Sequence, residues 1–142
     1  MSGIVVGIDA SSHSMAALAW AMREAALKKA PLTVVTVEVV AASGWGGSQV
    51  YPADYELRDK AQKAAEEAVA ATAKSLGGDA PESVTVKALL GQAAEQLIEA
   101  AKGADQLVLG RRGTGGFNRL MLGSVTSQVV HHAECPVTVV PD

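Results

Sequence analysis

Apolar and polar positions alternate along this chain in blocks of two kinds. Short runs of Val, Ile and Leu are separated by longer stretches in which apolar residues recur at helical spacing. Ile4-Val5-Val6-Gly7-Ile8, between Gly3 and Asp9, has no polar face, which predicts a strand buried on both sides. A helix follows, capped by Ser11 or Ser12, with Met15, Leu18, Ala19 and Met22 on one face and Pro31 closing the segment. Leu32 to Val40, rich in Val and Thr, predicts a second strand, and Ala41 to Pro52, with Gly44, Gly46 and Gly47, predicts a loop. An Ala/Glu/Lys helix runs from about Asp54 to Leu76 and ends at Gly77-Gly78.

The alternation then repeats. Val84 to Leu90 predicts a strand, and Gln92 to Lys102 a helix with Ala93, Leu97 and Ile98 inward, stopped by Gly103. Gln106 to Leu109 is a fourth strand, Ser124 to Ala133 a short helix, and Val137 to Val140 a last strand. Strands separated by helices predict an α/β fold: a parallel sheet with helices on both faces and right-handed crossovers. At 142 residues, without linker, repeat or low-complexity tail, the chain is expected to form one domain over 1–142.

Composition narrows the function. A net charge of -3 gives no basic field for a phosphate backbone, so nucleic acid is not an expected partner. No apolar stretch is long enough to predict a membrane span, and the N-terminus lacks the charged start of a targeting segment. With a single cysteine, Cys135, there is no internal disulfide; a cytoplasmic location is expected.

The unusual chemistry lies between the fourth strand and the last helix. Gly110 and Gly113 follow a buried strand, where missing side chains let backbone N–H groups approach an anion. Gly123-Ser124 opens a helix whose free N–H groups, dipole and Ser124 hydroxyl converge on one spot. Arg111, Arg112 and Arg119 are candidate sources of positive charge. The same glycines read equally well as turn residues, with Ser124 only a cap. Neither a dinucleotide fingerprint after the first strand nor a P-loop is present. Topology supports a ligand site: with strand order 3-2-1-4-5, the winding reverses between strands one and four, where Asp9 to Ser12 faces Gly110 to Gly123 across one crevice. Asp9 fits either a ribose or cation acceptor or an acid that complements a helix start.

Gly110, Gly113, Gly123 and Ser124 match the pattern G-x2-G-x9-G-[ST], and with it the chain resembles the universal stress protein family. The resemblance extends to Ile4 through Asp9, to Thr36-Val37 and to Cys135 through Val140. It implies a five-stranded, Rossmann-like sheet and an ATP site. By that likeness Asp9 lies near the ribose and Val37 beside adenine. Leu109 lends backbone contact, while Gly110, Gly113, Gly123, Ser124 and Val125 surround ribose and phosphates. Any Mg2+ or Mn2+ would be held through the phosphates. Arg111 stands where similar proteins often have Ser, and Thr36 where many have His.

Other signals carry less. His131 and His132 are helix neighbours that cannot both face one metal, and Cys135 reads as an inert, buried thiol. Trp45 is expected in an exposed loop. The apolar edge of Val137 to Val140 predicts a homodimer with these strands antiparallel, as in similar proteins. The expected function is an ATP-binding, nucleotide-dependent regulator of the stress response. The alternatives are a slow ATPase or phosphotransferase, for which the sequence shows no general base, and an interaction module without nucleotide.

Overall fold

The computed structural model describes residues 3–9, 11–43, 47–111 and 123–142. Strands β1 (Ile4–Ile8), β2 (Leu32–Val39), β5 (Val84–Gly91), β6 (Gln106–Gly110) and β7 (Val137–Val140) form one sheet in the order β5-β2-β1-β6-β7, every pair parallel. This is the 3-2-1-4-5 order expected from the sequence. Helices α1 (Ser12–Lys28) and α2 (Pro52–Leu76) cover one face, and α3 (Ala93–Ala100) and α4 (Ser124–His132) the other. All five residues of β1 and all five of β6 are buried, because each central strand has helices above and below. None of the described helices is long and apolar enough to cross a membrane.

The sheet divides the core in two. Ile4, Val6 and Ile8 meet Leu18, Met22 and Ala65 on one face, while Val5, Val35, Leu107 and Leu109 meet Leu97 and Val129 on the other. The buried stripe of α1 is Ala17, Leu18, Ala21, Met22 and Ala25, so Ala19, expected inward, lies to one side of it. Alanines at i, i+4 and i+8 let the helix backbone settle close to the sheet. That packing selects the small residues over the wider stripe that hydrophobicity alone suggests. In α3 the same shift makes Ala94, with Leu97, the buried residue rather than Ala93.

Two departures concern the connection after β2. Ala41 to Pro52 is not all loop: β3 (Ala41–Ser43) and β4 (Gly47–Gln49) pair antiparallel, Ala41 opposite Gln49 and Ser43 opposite Gly47. A hairpin this short carries no hydrophobic alternation by which to recognise it. Trp45 lies outside the described residues. Helix α2 starts at Pro52, earlier than Asp54, because proline suits the first helical position and the Asp54 carboxylate accepts from the Tyr51 N–H at 2.7 Å. Its end is as expected: Gly77 has φ 59°, a conformation that glycine adopts without strain.

The two sheet edges are treated differently. On β5, the Gln62 side chain of α2 donates to Val86 O at 2.9 Å and accepts from Ala88 N at 2.8 Å, so one amide engages two outward backbone groups at the middle of that strand. On β7, Pro136 O and Val140 O accept from Leu107 N and Arg111 N. The N–H and C=O groups of Val137 and Val139 therefore point away from the sheet.

Two glycines set how closely helices approach the central strands. A methyl group on Gly7 would stand 2.7 Å from Leu97 Cδ2 and 2.8 Å from Leu109 Cδ2, which are ends of side chains. On Gly110 it would stand 2.9 Å from His13 O and 3.1 Å from His13 C, which are fixed backbone of α1. Overpacking costs roughly 1–3 kcal/mol, with the larger values where nothing yields. Gly110→Ala is expected near the top of that range and Gly7→Ala near the bottom, as measured by urea unfolding. Equal losses, or the reverse order, would refute this account of the packing.

Candidate functional site

Winding reverses at β1. It pairs with β2 on one side, Ile8 opposite Thr36, and with β6 on the other, Val6 opposite Val108. The chain leaves β1 toward one face and β6 toward the other, which opens a crevice at their carboxyl ends.

Asp9 follows β1 at this crevice and is exposed. Its Oδ1 accepts from Ser11 N at 2.7 Å and from the Ser11 hydroxyl, which itself accepts from Ser14 N at 3.3 Å as the N-cap of α1. Ser14 Oγ closes the turn, accepting from Asp9 N at 3.1 Å and lying 2.9 Å from Asp9 O. Three short polar side chains thus convert a strand end into a helix start within the span of one turn. Asp9 has the helix-start role directly. Its Oδ2 has no hydrogen-bond partner among the described residues.

The other wall begins at Gly110. This residue is buried, and the backbone of α1 occupies the space a side chain would need, so its missing Cβ serves helix packing. Access for an anion, the reason suggested by the sequence, is not needed to explain it. Its carbonyl accepts from the buried Thr126 hydroxyl at 2.9 Å. Arg111 is held on both sides: its N–H donates to Val140 O at 3.1 Å, and its carbonyl accepts from Gly123 N at 2.9 Å. These bonds fix the start of α4 against the end of β6. Gly113, Arg112 and Arg119 lie outside the described residues.

Gly123, not Ser124, is the N-cap of α4, with φ -63° and ψ 158°. The first helical bond runs from Ser127 N to Gly123 O at 2.9 Å, so helix geometry gives the N–H groups of Ser124, Val125 and Thr126 no acceptor within α4. Ser124 and Val125 are exposed. Leu109 is buried, which leaves only its backbone for any ligand. Val37 lies one residue past the last β1 pairing, half-buried beside the core that contains Leu109. Asp9, Val37, Leu109, Gly110, Gly123, Ser124 and Val125 therefore all lie at the carboxyl ends of neighbouring strands or in the segments that leave them. The free donors of α4 suit an anionic group, and the exposed Asp9 carboxylate suits a hydroxyl donor such as ribose.

Sequence reasoning passed over one pair. His13, in the first turn of α1, places Nδ1 2.6 Å from Oδ2 of Asp142, just beyond β7. Nothing in the local pattern of either residue announces the other. Among the described residues no three His, Cys, Asp or Glu side chains are grouped to hold a metal. His131 instead sets Nδ1 2.7 Å from Ser127 O, within its own helix. Burial pushes the Cys135 thiol up, partly opposed by a backbone hydrogen bond at Leu107, which disfavours the reactive thiolate.

Comparison with known proteins agrees with this architecture. A universal stress protein of Mycolicibacterium smegmatis is 36% identical over 139 residues, which are 97% of this chain and 47% of that protein. One from Mycobacterium tuberculosis is 34% identical over 140 residues, again 97% and 47%. The chain thus spans about half the length of these curated relatives. Among solved structures, the universal stress protein UspA from Lactobacillus plantarum superposes with a TM-score of 0.78 at 29% identity, covering 98% of this chain and 97% of that one. A universal stress protein in complex with cAMP has a TM-score of 0.68 at 22% identity, covering 99% and 96%. One from Archaeoglobus fulgidus in complex with dAMP has 0.65 at 21%, covering 99% and 98%. The sequence model described as the universal stress protein family matches residues 1–141, and the chain belongs to that family.

Proposed function

We propose that this chain binds ATP in the crevice between β1 and β6 and acts in the cytoplasm as a nucleotide-dependent component of the stress response. The observation that carries this reading is the start of α4. Three backbone N–H groups have no acceptor within the helix there, and Thr126 and Gly123 tie that helix start to the end of β6, the strand next to the one that the exposed Asp9 follows. A phosphate chain receives the N–H groups and dipole of α4 together with the Ser124 hydroxyl. The ribose hydroxyls donate to Asp9 Oδ2, and adenine lies along Val37 and the backbone of Leu109. Gly113 completes the cradle, and Mg2+ or Mn2+ enters with the phosphates. The solved relatives whose complexes contain cAMP and dAMP support an adenine nucleotide.

The protein also pairs with itself through β7. The outward N–H and C=O groups of Val137 and Val139 are unpaired among the described residues, and a second β7 antiparallel to the first satisfies them. This reading supplies no contact with nucleic acid or membrane.

Nucleotide binding is tested by titrating the purified protein with ATP and identifying any nucleotide that co-purifies. Micromolar or tighter affinity is expected. Ser124→Ala should weaken it by roughly one hydrogen bond to a charged group, about 1.5–3 kcal/mol, and Gly123→Val should weaken it further by crowding the phosphates. No affinity, or variants that bind like wild type, would reject the site. Sedimentation at micromolar concentration should show a dimer that Val139→Pro converts to a monomer, since proline removes an outward N–H and spares the bonds to β6. A wild-type monomer would refute the pairing.

A further inference from the structure

Gln96 and Leu97 of α3 straddle β2 on the face that carries Val37. In the sheet, β2 lies between β5 and β1. A methyl group on Gly91, at the end of β5, would stand 2.8 Å from Gln96 Nε2, 2.9 Å from its Cγ and 3.0 Å from its Cδ. The amide arm therefore lies against the bare α-carbon of Gly91. A methyl group on Gly7 of β1 would meet Leu97 Cδ2 at 2.7 Å. Gly91 is opposite Val39 and Gly7 opposite Val35, which puts Val37 midway between the two contacts and, by strand alternation, on the same face. Val37 and Leu89 border the core there, while Val39 is 56% exposed. Past Val37 the end of β2 thus offers an apolar shelf, with a primary amide on its β5 side.

That amide is held in place but unused. Gln92 donates its Nε2 to Val40 O at 2.7 Å, Val40 N donates to Gly91 O at 3.2 Å, and Gln96 N donates to Gln92 O at 3.0 Å. These bonds tie the first turn of α3 to the end of β2. The Gln96 side chain itself is half-buried and has no hydrogen-bond partner among the described residues. An amide with an unpaired C=O and NH2 beside an apolar shelf suits a planar ligand that presents a donor next to an acceptor. Adenine does so with N6 and N7, and a glutamine amide pairs with both at once. Guanine presents two acceptors at that edge, O6 and N7, and offers nothing to the amide carbonyl.

We propose that Gln96 reads the N6–N7 edge of an adenine lying on Val37 and Val39, and so selects adenine over guanine nucleotides. The inference rests on the nucleotide reading above. The Gln96 carbonyl accepts from N6, and its NH2 donates to N7. Phosphate binding belongs to the start of α4, on another strand end, so the choice of base is separable from it.

Calorimetric titration of the full chain with ATP, GTP and 7-deaza-ATP, in which a C–H group replaces N7, tests the role of Gln96. Wild type should bind ATP on the order of tenfold more tightly than GTP or 7-deaza-ATP, the usual worth of a bidentate base contact. Gln96→Leu keeps an arm over Gly91 and loses the amide. It should bind ATP about tenfold more weakly, bind GTP much as wild type does, and no longer distinguish ATP from 7-deaza-ATP. A wild type that binds ATP and 7-deaza-ATP alike overturns the role of Gln96 and leaves the nucleotide reading standing. So does a Gln96→Leu variant that still tells the two apart. A chain with no affinity for any of the three nucleotides overturns both.

Discussion

The close approach of α1 to the end of β6 is the contact on which the rest of the site depends. Because Gly110 has no side chain, the carbonyl of His13 rests where a methyl group would stand. That fixes the depth of the first turn of α1, and with it the Asp9–Ser11–Ser14 turn feeding the helix. The carbonyl of Gly110 then holds Thr126, and the next residue holds Gly123, so the start of α4 is referred to the same point. One residue without a side chain thereby relates two helix N-termini, on opposite faces of the sheet, to a single strand end. Preorganised donors of this kind need no rearrangement to meet an anion.

The sheet was legible in the sequence because its strands are unusually plain. β1 and β6 are buried on both faces, so they read as unbroken apolar runs, and the glycine stops after α2 and α3 mark their ends. Boundaries and faces were less legible. The choice of Ala17 and Ala21 over Ala19 as the buried residues depends on how near the sheet lies, which no hydrophobic pattern reports. The hairpin of Ala41 to Gln49 is too short for alternation to show.

The site divides in the same way. Gly110, Gly123 and Ser124 stood out by spacing, and Asp9 by its place after β1. What the sequence left open was the work each does: Gly110 accommodates a helix, Gly123 rather than Ser124 caps α4, and Asp9 shares its carboxylate with Ser11. Thr126 and the His13–Asp142 contact were not legible at all. Both are long-range partnerships made by residues with ordinary local surroundings, and only the strand order brings them together.

Gln62 sets a limit on assembly. Its amide imitates a neighbouring strand at the middle of β5, so a side chain of the chain's own helix interrupts that margin while β7 keeps its outward groups. A sheet with two open margins can add subunits end to end and grow into a fibre. A second molecule approaching β5 would have to displace that amide, whereas one approaching β7 would not. That asymmetry works against end-to-end growth and favours closed pairing over a fibre.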